Sequence, residues 1–318
     1  MQVVEERGVT IQIYSADEAV NCLIKNRELI QELMGKDKLY RYPVADTFLN
    51  QAFLEYTIQM RSHLYLGTIE EDGEIHALLP LLINQGFPSP AMNRIEFLVM
   101  RPSTNLAVLE YLFEQILAIV DRYNVPLRFY CYEFTNPKVR DIVLNLGLKE
   151  AGAVKGIMYD LKKNLNVPIR EKIVLKPAED PAVWFPMMLA HYNLPGTAVN
   201  YITSVLSKQE EGLQELMQRI FHRFIATDSK GEVVGTIELW TVTEDPQWTH
   251  LFVKEEYRGQ GYGMAIMQAI KQKTLEMNYN RAIGIVNATN TPARNLHSKF
   301  GSETTSTIVY FDRQQSEQ

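Results

Sequence analysis

The feature that most constrains this chain is an internal repeat of its secondary-structure signals. In each half, two apolar runs flank an acidic, glycine-containing turn, and a strand, a helix, a strand, a second helix and a last strand follow. Equivalent positions lie 154 residues apart, or 158 at the hairpin turns: Val99 and Val253, Asn136 and Asn290, Gly147 and Gly301, and the turn residues Gly73 and Gly231. We therefore predict two copies of one α+β domain, over residues 1–165 and 166–318, joined near residues 164–168.

Periodicity and capping residues predict the elements of the first copy. Ser15 and Glu18 form a capping box, which begins an amphipathic helix that runs to Leu33. A hairpin and a third strand follow at residues 65–69, 75–83 and 95–100, and then a helix, a strand and a second helix at 105–123, 127–132 and 136–147. The four residues by which this copy exceeds the second fit the loop 85–90.

The same signals recur in the second copy. Strands are predicted at residues 232–241, 249–253, 281–286 and 305–311, and helices at 264–277 and 291–301. Thr291 and Pro292 begin the second of these helices, and Gly301 ends it as a C′ glycine.

Composition excludes several classes of protein. With 318 residues, 46% hydrophobic and 22% charged, the chain can bury two full cores, which rules out a disordered, collagen-like or coiled-coil architecture. A net charge of -6 has the wrong sign for neutralising phosphates, so we expect no nucleic-acid partner. Cys22 and Cys131 form no CxxC pair, which favours a reducing cytoplasm and no metal site. No signal-like segment opens the sequence and no run of about 20 apolar residues occurs, so neither export nor a membrane partner is expected.

The strongest local motif is a strand that ends in an arginine and glycine-rich turn leading into a helix. Three glycines let backbone N–H groups approach a ligand, and the helix N-terminus adds the positive end of its dipole. The segment Val253 to Met264 therefore predicts a pyrophosphate cradle. It matches neither GxxxxGK[ST] nor GxGxxG, so it lacks the defining residues of P-loop NTPases and dinucleotide folds.

The motif resembles the signature of the GNAT superfamily of N-acetyltransferases, Arg/Gln-x-x-Gly-x-Gly/Ala after a central strand. Here it stands as Arg258, Gly261 and Gly263, and the run from Asn290 to Gly301 is similar to the family's Asn-x-x-Ala-x-x-Leu-Tyr-x-x-x-Gly. The resemblance implies two tandem GNAT-like domains, each a mixed, mostly antiparallel central sheet flanked by helices.

The resemblance also implies acetyl-CoA as the co-substrate, with no metal. Its pyrophosphate would lie on the turn and its pantetheine arm along the preceding strand, with Asn290 bonding to the arm. The other cofactor-binding residues implied are Leu251, Phe252, Val253, Arg258, Gly259, Gln260, Gly261, Tyr262 and Gly263. A splayed strand leaves unpaired backbone groups that hold the arm and polarise the thioester, which a deprotonated amine attacks directly.

The catalytic residues depart from the family pattern. His297 stands where the family has a tyrosine that protonates the leaving thiolate, and a neutral or protonated imidazole could do this work. Gln247 replaces the glutamate of the histone-acetylating branch. His250, which period two places on one face with Trp248, and Glu238 on the neighbouring strand are the candidates to relay a proton.

The first copy is expected to bind no CoA. An offset of 154 places Thr104, Ala107 and Leu109 opposite Arg258, Gly261 and Gly263, so the leucine side chain would stand where backbone must approach phosphate. This copy would then be a scaffold or a wall of the acceptor site. Aromatic residues that could enclose an amine, or else pack in the core, follow at Trp184, Phe185, His191, Tyr192 and Tyr201.

We therefore expect an acetyl-CoA-dependent N-acetyltransferase that acts on a primary amine of a small molecule. Two alternatives remain open: a tandem transferase resembling mycothiol synthase, and an acyl-CoA-binding module without turnover. A protein lysine is a further acceptor that an acidic surface would tolerate. The sequence leaves the oligomeric state and the acceptor open.

Overall fold

The computed structural model describes residues 2–6, 9–34, 54, 63–84, 93–132, 135–163, 172–178, 184, 187 and 220–314. It confirms the predicted α+β class, with mixed, mostly antiparallel sheet flanked by helices. The chain divides into two compact units, of which unit 1 contains Met1–Val154 and Ser306–Gln318, and unit 2 contains Lys155–Thr305.

Unit 1 is built on a sheet whose strands are antiparallel except for one parallel pair. Its strands are β1 (Gln2–Glu6), β2 (Val9–Ser15), β3 (His63–Glu71), β4 (Glu74–Ile83), β5 (Arg94–Ile95), β6 (Val99–Met100) and β7 (Leu127–Cys131). They run in the order β1-β2-β3-β4-β5-β7, with β6 also on β4, and β5 and β7 form the parallel pair. The predicted third strand at 95–100 is thus two short strands, because residues 96–98 leave the ladder.

The first helix of unit 1 departs from the prediction in two respects, its length and its N-cap. One predicted helix is two, α1 (Ala16–Lys25) and α2 (Arg27–Met34), which meet at Asn26. Ser15 occupies the N-cap of α1, but its side chain makes no capping hydrogen bond, so the predicted capping box is wrong. The long helix α3 (Leu106–Tyr123) begins as predicted, with Asn105 Oδ1 accepting from the Ala107 N–H, and α4 (Lys138–Asn145) follows β7.

The last strand of the chain belongs to unit 1. Strand β14 (Glu303–Arg313) pairs antiparallel with β7 from Val309 to Arg313, and Phe311 is buried in the core of this unit beside Phe129. Conversely, β8 (Lys149–Asp160) passes into unit 2 at Lys155. The C-terminal strand thus groups with unit 1, whereas the predicted bounds of the two copies, 1–165 and 166–318, stay a prediction.

A bidentate ion pair fixes the C-terminal strand in unit 1, and its removal should be measurable. Arg128 Nε and Nη2 donate to the two carboxylate oxygens of Asp312 at 2.7 and 2.8 Å, and both side chains are mostly buried. Because hydrogen bonds to charged groups stabilise more than neutral ones, we expect Asp312→Asn to lower the free energy of unfolding by about 1–3 kcal/mol in urea. Glu150→Gln, which breaks an exposed pair with Arg140, should cost below about 0.5 kcal/mol. If Asp312→Asn and Glu150→Gln lowered the free energy of unfolding equally, the buried Arg128–Asp312 pair would not stabilise β14 in unit 1.

Unit 2 repeats the same order of elements. The strands are β9 (Val174–Pro177), β10 (Phe221–Thr227), β11 (Val233–Trp240), β12 (Gln247–Val253) and β13 (Arg281–Asn287). They lie side by side in chain order, antiparallel from β9 to β12, with β12 and β13 parallel and β8 next to β13.

Two helices of unit 2 follow the strands that matter for the site. Helix α5 (Tyr262–Glu276) follows β12 and buries Ile266 and Ile270 against the sheet, and α6 (Thr291–Lys299) follows β13. Within the described part of the chain, no helix is both long enough and apolar enough to cross a membrane.

Candidate active site

The predicted cradle forms a tight turn between β12 and α5. After Val253, a single 3₁₀ turn (Glu255–Tyr257) leads to Gly259 and Gly261, whose φ angles are 73° and 96°. An L-residue adopts this left-handed region at a cost, so the turn requires glycine. A Cβ added at Gly261 would meet no atom within 4 Å, which means that the open side of the cradle is next to this residue.

The cradle presents backbone donors without acceptors. Among the described residues, no acceptor takes the N–H of Gly259, Gln260, Gly261 or Gly263, whereas Met264 and Ala265 already donate to the Gly261 carbonyl. Unpaired N–H groups and the positive end of the helix dipole together favour an anion. The residues present therefore fit the pyrophosphate of acetyl-CoA.

Two cradle residues, Arg258 and Gly263, also stabilise the turn and the packing of the helix that follows it. Arg258 Nε donates to the Val253 carbonyl at 3.0 Å, so this exposed arginine closes the turn and adds positive charge beside it. Gly263 lets α5 approach α6, because a Cβ there would lie 3.1 Å from Leu296 Cδ2. The glycine at the third motif position is thus required by helix packing as well as by any ligand.

Strand β12 separates from its parallel neighbour, as the resemblance implies. The ladder between β12 and β13 contains only the pairs Gln247–Ile283 and Trp248–Gly284. Beyond Trp248 the two strands have no ladder pair in the described structure, although β12 continues to Val253. Residues 251–253 therefore have no ladder pair with β13, and an extended, amide-rich ligand could pair with β12 along this edge.

A β-bulge interrupts β12 at His250. Glu238 on β11 pairs with Thr249, but Thr236 pairs with Phe252, so His250 and Leu251 share a single partner position. His250 has a φ of 53°, in the left-handed region. The expectation that His250 shares a face with Trp248 is wrong, because the bulge breaks the period of two. Trp248 packs towards α5 and donates to Thr274, whereas His250 turns to Glu238.

Glu238 is the centre of a buried polar cluster. Its side chain is 2% exposed, and its Oε1 accepts from Arg223 Nε at 2.8 Å. Its Oε2 accepts from Trp240 Nε1 at 2.8 Å and lies 3.2 Å from His250 Nε2. The sequence-predicted pair Glu238 and His250 is therefore brought together, on the face of the sheet opposite α5.

The environment of His250 favours a neutral imidazole. Burial lowers its pKa from 6.5, Arg223 lowers it further, and the Glu238 carboxylate opposes both effects. The nitrogen that faces a carboxylate carries the proton, so Nε2 donates to Glu238 and Nδ1 holds the lone pair. A neutral histidine held in this way can accept a proton at neutral pH.

His297 lies elsewhere in unit 2, in contact with a tyrosine that the sequence analysis did not single out. Its Nδ1 is 2.5 Å from the hydroxyl of Tyr159, which is buried against Trp248 and Phe300. Burial raises the pKa of Tyr159 well above 10, so the phenol keeps its proton. Burial also lowers the pKa of His297 to about 4. The structure therefore favours the neutral form of the two considered for His297.

The protonation of His297 can be measured directly. With a pKa of about 4, only about one imidazole in a thousand is charged at pH 7. We expect the His297 ring signals in NMR spectra to stay constant from pH 8 to pH 5.5, with His297→Asn used to assign them. A midpoint between pH 6 and 7 would contradict the burial of this ring and restore an imidazolium acid.

Asn290 caps α6. Its Oδ1 accepts from the Ala293 N–H at 3.1 Å, and its backbone carbonyl accepts from Arg294. Its side chain is exposed, and the role of bonding to a pantetheine arm stays a prediction.

The matching turn of unit 1 has a different construction. Only residues 101–104 separate β6 from Asn105, the N-cap of α3, whereas residues 254–260 separate β12 from Gly261. Counted from the helix starts, Leu109 aligns with Ala265, and it is fully buried in the core instead of facing a ligand at the turn. The position assigned to Leu109 from the offset of 154 is therefore wrong. The expectation that unit 1 binds no CoA now depends on its shorter turn and on the Asn105 side chain that caps α3.

Several predicted residues lie outside the described chain, and several contributors were not predicted. Phe185, His191, Tyr192 and Tyr201 belong to the first group, while Trp184 is described and buried beside Arg223. Arg223, Trp240 and Tyr159 belong to the second group. Alternation along β10 and β11 would have placed Arg223 near Glu238, but only once the register of the two strands was known.

No three His, Cys, Asp or Glu side chains of the described residues gather as metal ligands would.

Comparisons with known proteins agree with this architecture. Residues 198–301 match the family model described as Acetyltransferase (GNAT) family. A protein of Bacillus subtilis (strain 168), named as a candidate ribosomal protein bS18-alanine N-acetyltransferase, is 29% identical over 89 residues. That match covers 28% of this chain and 59% of the relative.

Solved structures extend the likeness of fold to the whole chain. A tandem GNAT protein from the clavulanic acid biosynthesis pathway has a TM-score of 0.63 at 13% identity, covering 96% of this chain and all of that one. A GCN5-related N-acetyltransferase from Sphaerobacter thermophilus has a TM-score of 0.59 at 15% identity, over 79% of this chain and 80% of that one. Taken with the cradle and the splayed strand of unit 2, the family match identifies residues 198–301 as a GNAT domain, and the solved structures show that the chain has the fold of a tandem GNAT protein.

Proposed function

We propose that unit 2 is an acetyl-CoA-dependent N-acetyltransferase that acetylates a primary amine of a small molecule by direct attack. One observation carries the proposal: strand β12 ends in an anion cradle, separates from β13, and at its bulge holds His250 against a buried carboxylate. A binding edge and a proton acceptor thus stand on the same strand. This supports turnover over a module that only binds acyl-CoA.

The residues divide into binding and proton-handling groups. The amides of residues 259–263, with the charge of Arg258, would hold the pyrophosphate. The pantetheine arm would lie along Leu251, Phe252 and Val253, where β12 has no ladder pair with β13. Acetyl-CoA, when bound, supplies the thioester: the amine nitrogen forms the new N–C bond, the C–S bond breaks, and the thiolate leaves. His250 takes the proton that the amine loses, and Glu238 orients its ring.

His297 has a narrower role in this proposal. A neutral imidazole whose Nδ1 accepts from Tyr159 carries its hydrogen on Nε2. We therefore assign it a hydrogen bond to the leaving group rather than a full proton transfer at neutral pH. Tyr159 would keep the ring in that tautomer.

Two other acceptors are weighed against a free small molecule. The Bacillus subtilis relative is named for an alanine of a ribosomal protein, so a protein amino group is one of them. A cysteinyl sugar amine, as in a mycothiol-synthase-like enzyme, is the other. Neither has a described contact of its own in this chain, and both belong in the acceptor panel.

Calorimetric titration with acetyl-CoA, followed by thiol release with a panel of amines, tests the proposal. We expect one binding site per chain, from the cradle of unit 2, and amine-dependent release of CoA thiol. Binding without release for any amine would leave a sensor and overturn the enzyme. No binding by folded protein would overturn the acetyl-CoA site itself.

A further inference from the structure

Arg223 offers one half of its guanidinium to a ligand. Its Nε donates to Glu238, and within the described residues no acceptor takes Nη1 or Nη2. The side chain is 26% exposed, whereas its carboxylate partner is 2% exposed. A ligand that approaches this ion pair therefore contacts the Arg223 guanidinium, because the Glu238 carboxylate is buried behind it.

The free edge of Arg223 is held in a fixed orientation. Glu238 binds the guanidinium on one side, and the ring of Trp184 lies 4.7 Å from the Arg223 Cζ. An arginine fixed by a hydrogen bond and a stacked aromatic ring loses little entropy when it binds a ligand. The two Nη groups of such a side chain match the two oxygens of a carboxylate or a phosphate.

The arginine and the candidate proton acceptor share one carboxylate. Oε1 of Glu238 binds Arg223, and Oε2 lies 3.2 Å from His250 Nε2. The Glu238 carboxylate thus sets the distance between the Arg223 guanidinium and the His250 imidazole. A molecule that reaches both would carry an anionic group at one end and an amino group at the other.

We infer that the acceptor is an amine that also bears an anionic group, with a carboxylate as in an amino acid, and that Arg223 binds that group. The inference rests on the proposed function and narrows its substrate class. The neutralising pair Arg223–Glu238 leaves no net negative charge for a simple ammonium ion, which disfavours acceptors that carry only a cation. An anionic group on the acceptor would accept hydrogen bonds from Nη1 and Nη2 of Arg223, which no described residue accepts.

Matched acceptors test this substrate class. Amino acids, the corresponding amino-acid amides and the corresponding amines without the carboxyl group would be compared by thiol release, with phosphoethanolamine and ethanolamine as the phosphate pair. We expect kcat/KM for the best amino acid to exceed that of its amide by about tenfold or more, as a bidentate charged contact would give. A ratio below about threefold for both the carboxylate and the phosphate pairs would overturn the inference.

Variants connect the preference to Arg223. In Arg223→Lys a cation still pairs with Glu238, so the fold is preserved, but the fork is lost, and the preference should fall at least about fivefold. Arg223→Gln should remove it, with activity towards amides as the internal reference. Arg281→Gln is the control, because Arg281, which lies on β13, also pairs with a carboxylate, that of Asp245. An unchanged preference in Arg223→Lys and Arg223→Gln would overturn the assignment.

The failure of this inference is distinct from that of the proposed function. Thiol release with uncharged amines, without any anion preference, would leave the enzyme standing and overturn the substrate class alone. If no acceptor releases thiol, calorimetric binding of N-acetyl amino acids and of their amides still reads the Arg223 site. Equal binding of the two would overturn it.

Discussion

Replacing Gly261 with leucine is expected to weaken the binding of acetyl-CoA about 100-fold or more while the protein stays folded. A Cβ at this position meets no protein atom within 4 Å, so we expect the leucine side chain to enter the open space of the cradle instead of clashing with the core. It would block the approach of phosphate to the neighbouring amides. Because a hydrogen bond to a charged group contributes about 1.5–3 kcal/mol, the loss of two such bonds accounts for the effect.

A second glycine of unit 2 separates this effect from backbone strain. Gly231, in the turn between β10 and β11, has a φ of 86° and equally open surroundings. Leucine at either position costs about 1–2 kcal/mol for the left-handed conformation. We therefore expect Gly231→Leu to match Gly261→Leu in thermal stability and to bind acetyl-CoA like the parent in calorimetry. If both variants lost binding equally, the cradle would be in another place.

The cradle could be predicted because its signals are local. Glycines that adopt positive φ, a helix that starts beside them and a preceding apolar strand are all contained within a dozen residues. The order of elements in each half was predictable for the same reason. The identity of the strand next to β7 was not predictable, because strand pairing is decided by contacts between residues far apart in the sequence. Phe311 packs in the core of unit 1, although the repeat assigns it to the second copy.

The Glu238 cluster was only half predictable. Two candidate residues on adjacent strands were visible in the sequence, but whether they meet depends on register and on the bulge at His250. A one-residue irregularity moves a side chain to the other face of a sheet, and a single histidine is too weak a signal to predict the left-handed conformation found here. The same register hid Arg223, which is directly opposite Glu238 on β10.

Replacing His250 with asparagine is expected to lower kcat/KM about 100-fold or more at pH 7.5, with little change in acetyl-CoA binding. Asparagine tolerates positive φ, so the bulge should persist, while the amide cannot accept a proton as imidazole does. His222→Asn is the control, since His222 lies on β10 and contacts Thr241 rather than Glu238. Its kcat/KM should stay within about twofold of the parent.

The pH profile makes the role of His250 specific. Because its folded pKa lies below 6.5, the neutral, active form predominates at pH 7, and activity should be lost as the pH falls through this lowered pKa. In His250→Asn the remaining activity should lack this acidic limb. If the variant kept the limb, or lost affinity for acetyl-CoA as much as turnover, His250 would support the shape of β12 and another group would take the proton. The variant therefore distinguishes a residue that shapes the strand from one that handles the proton on it.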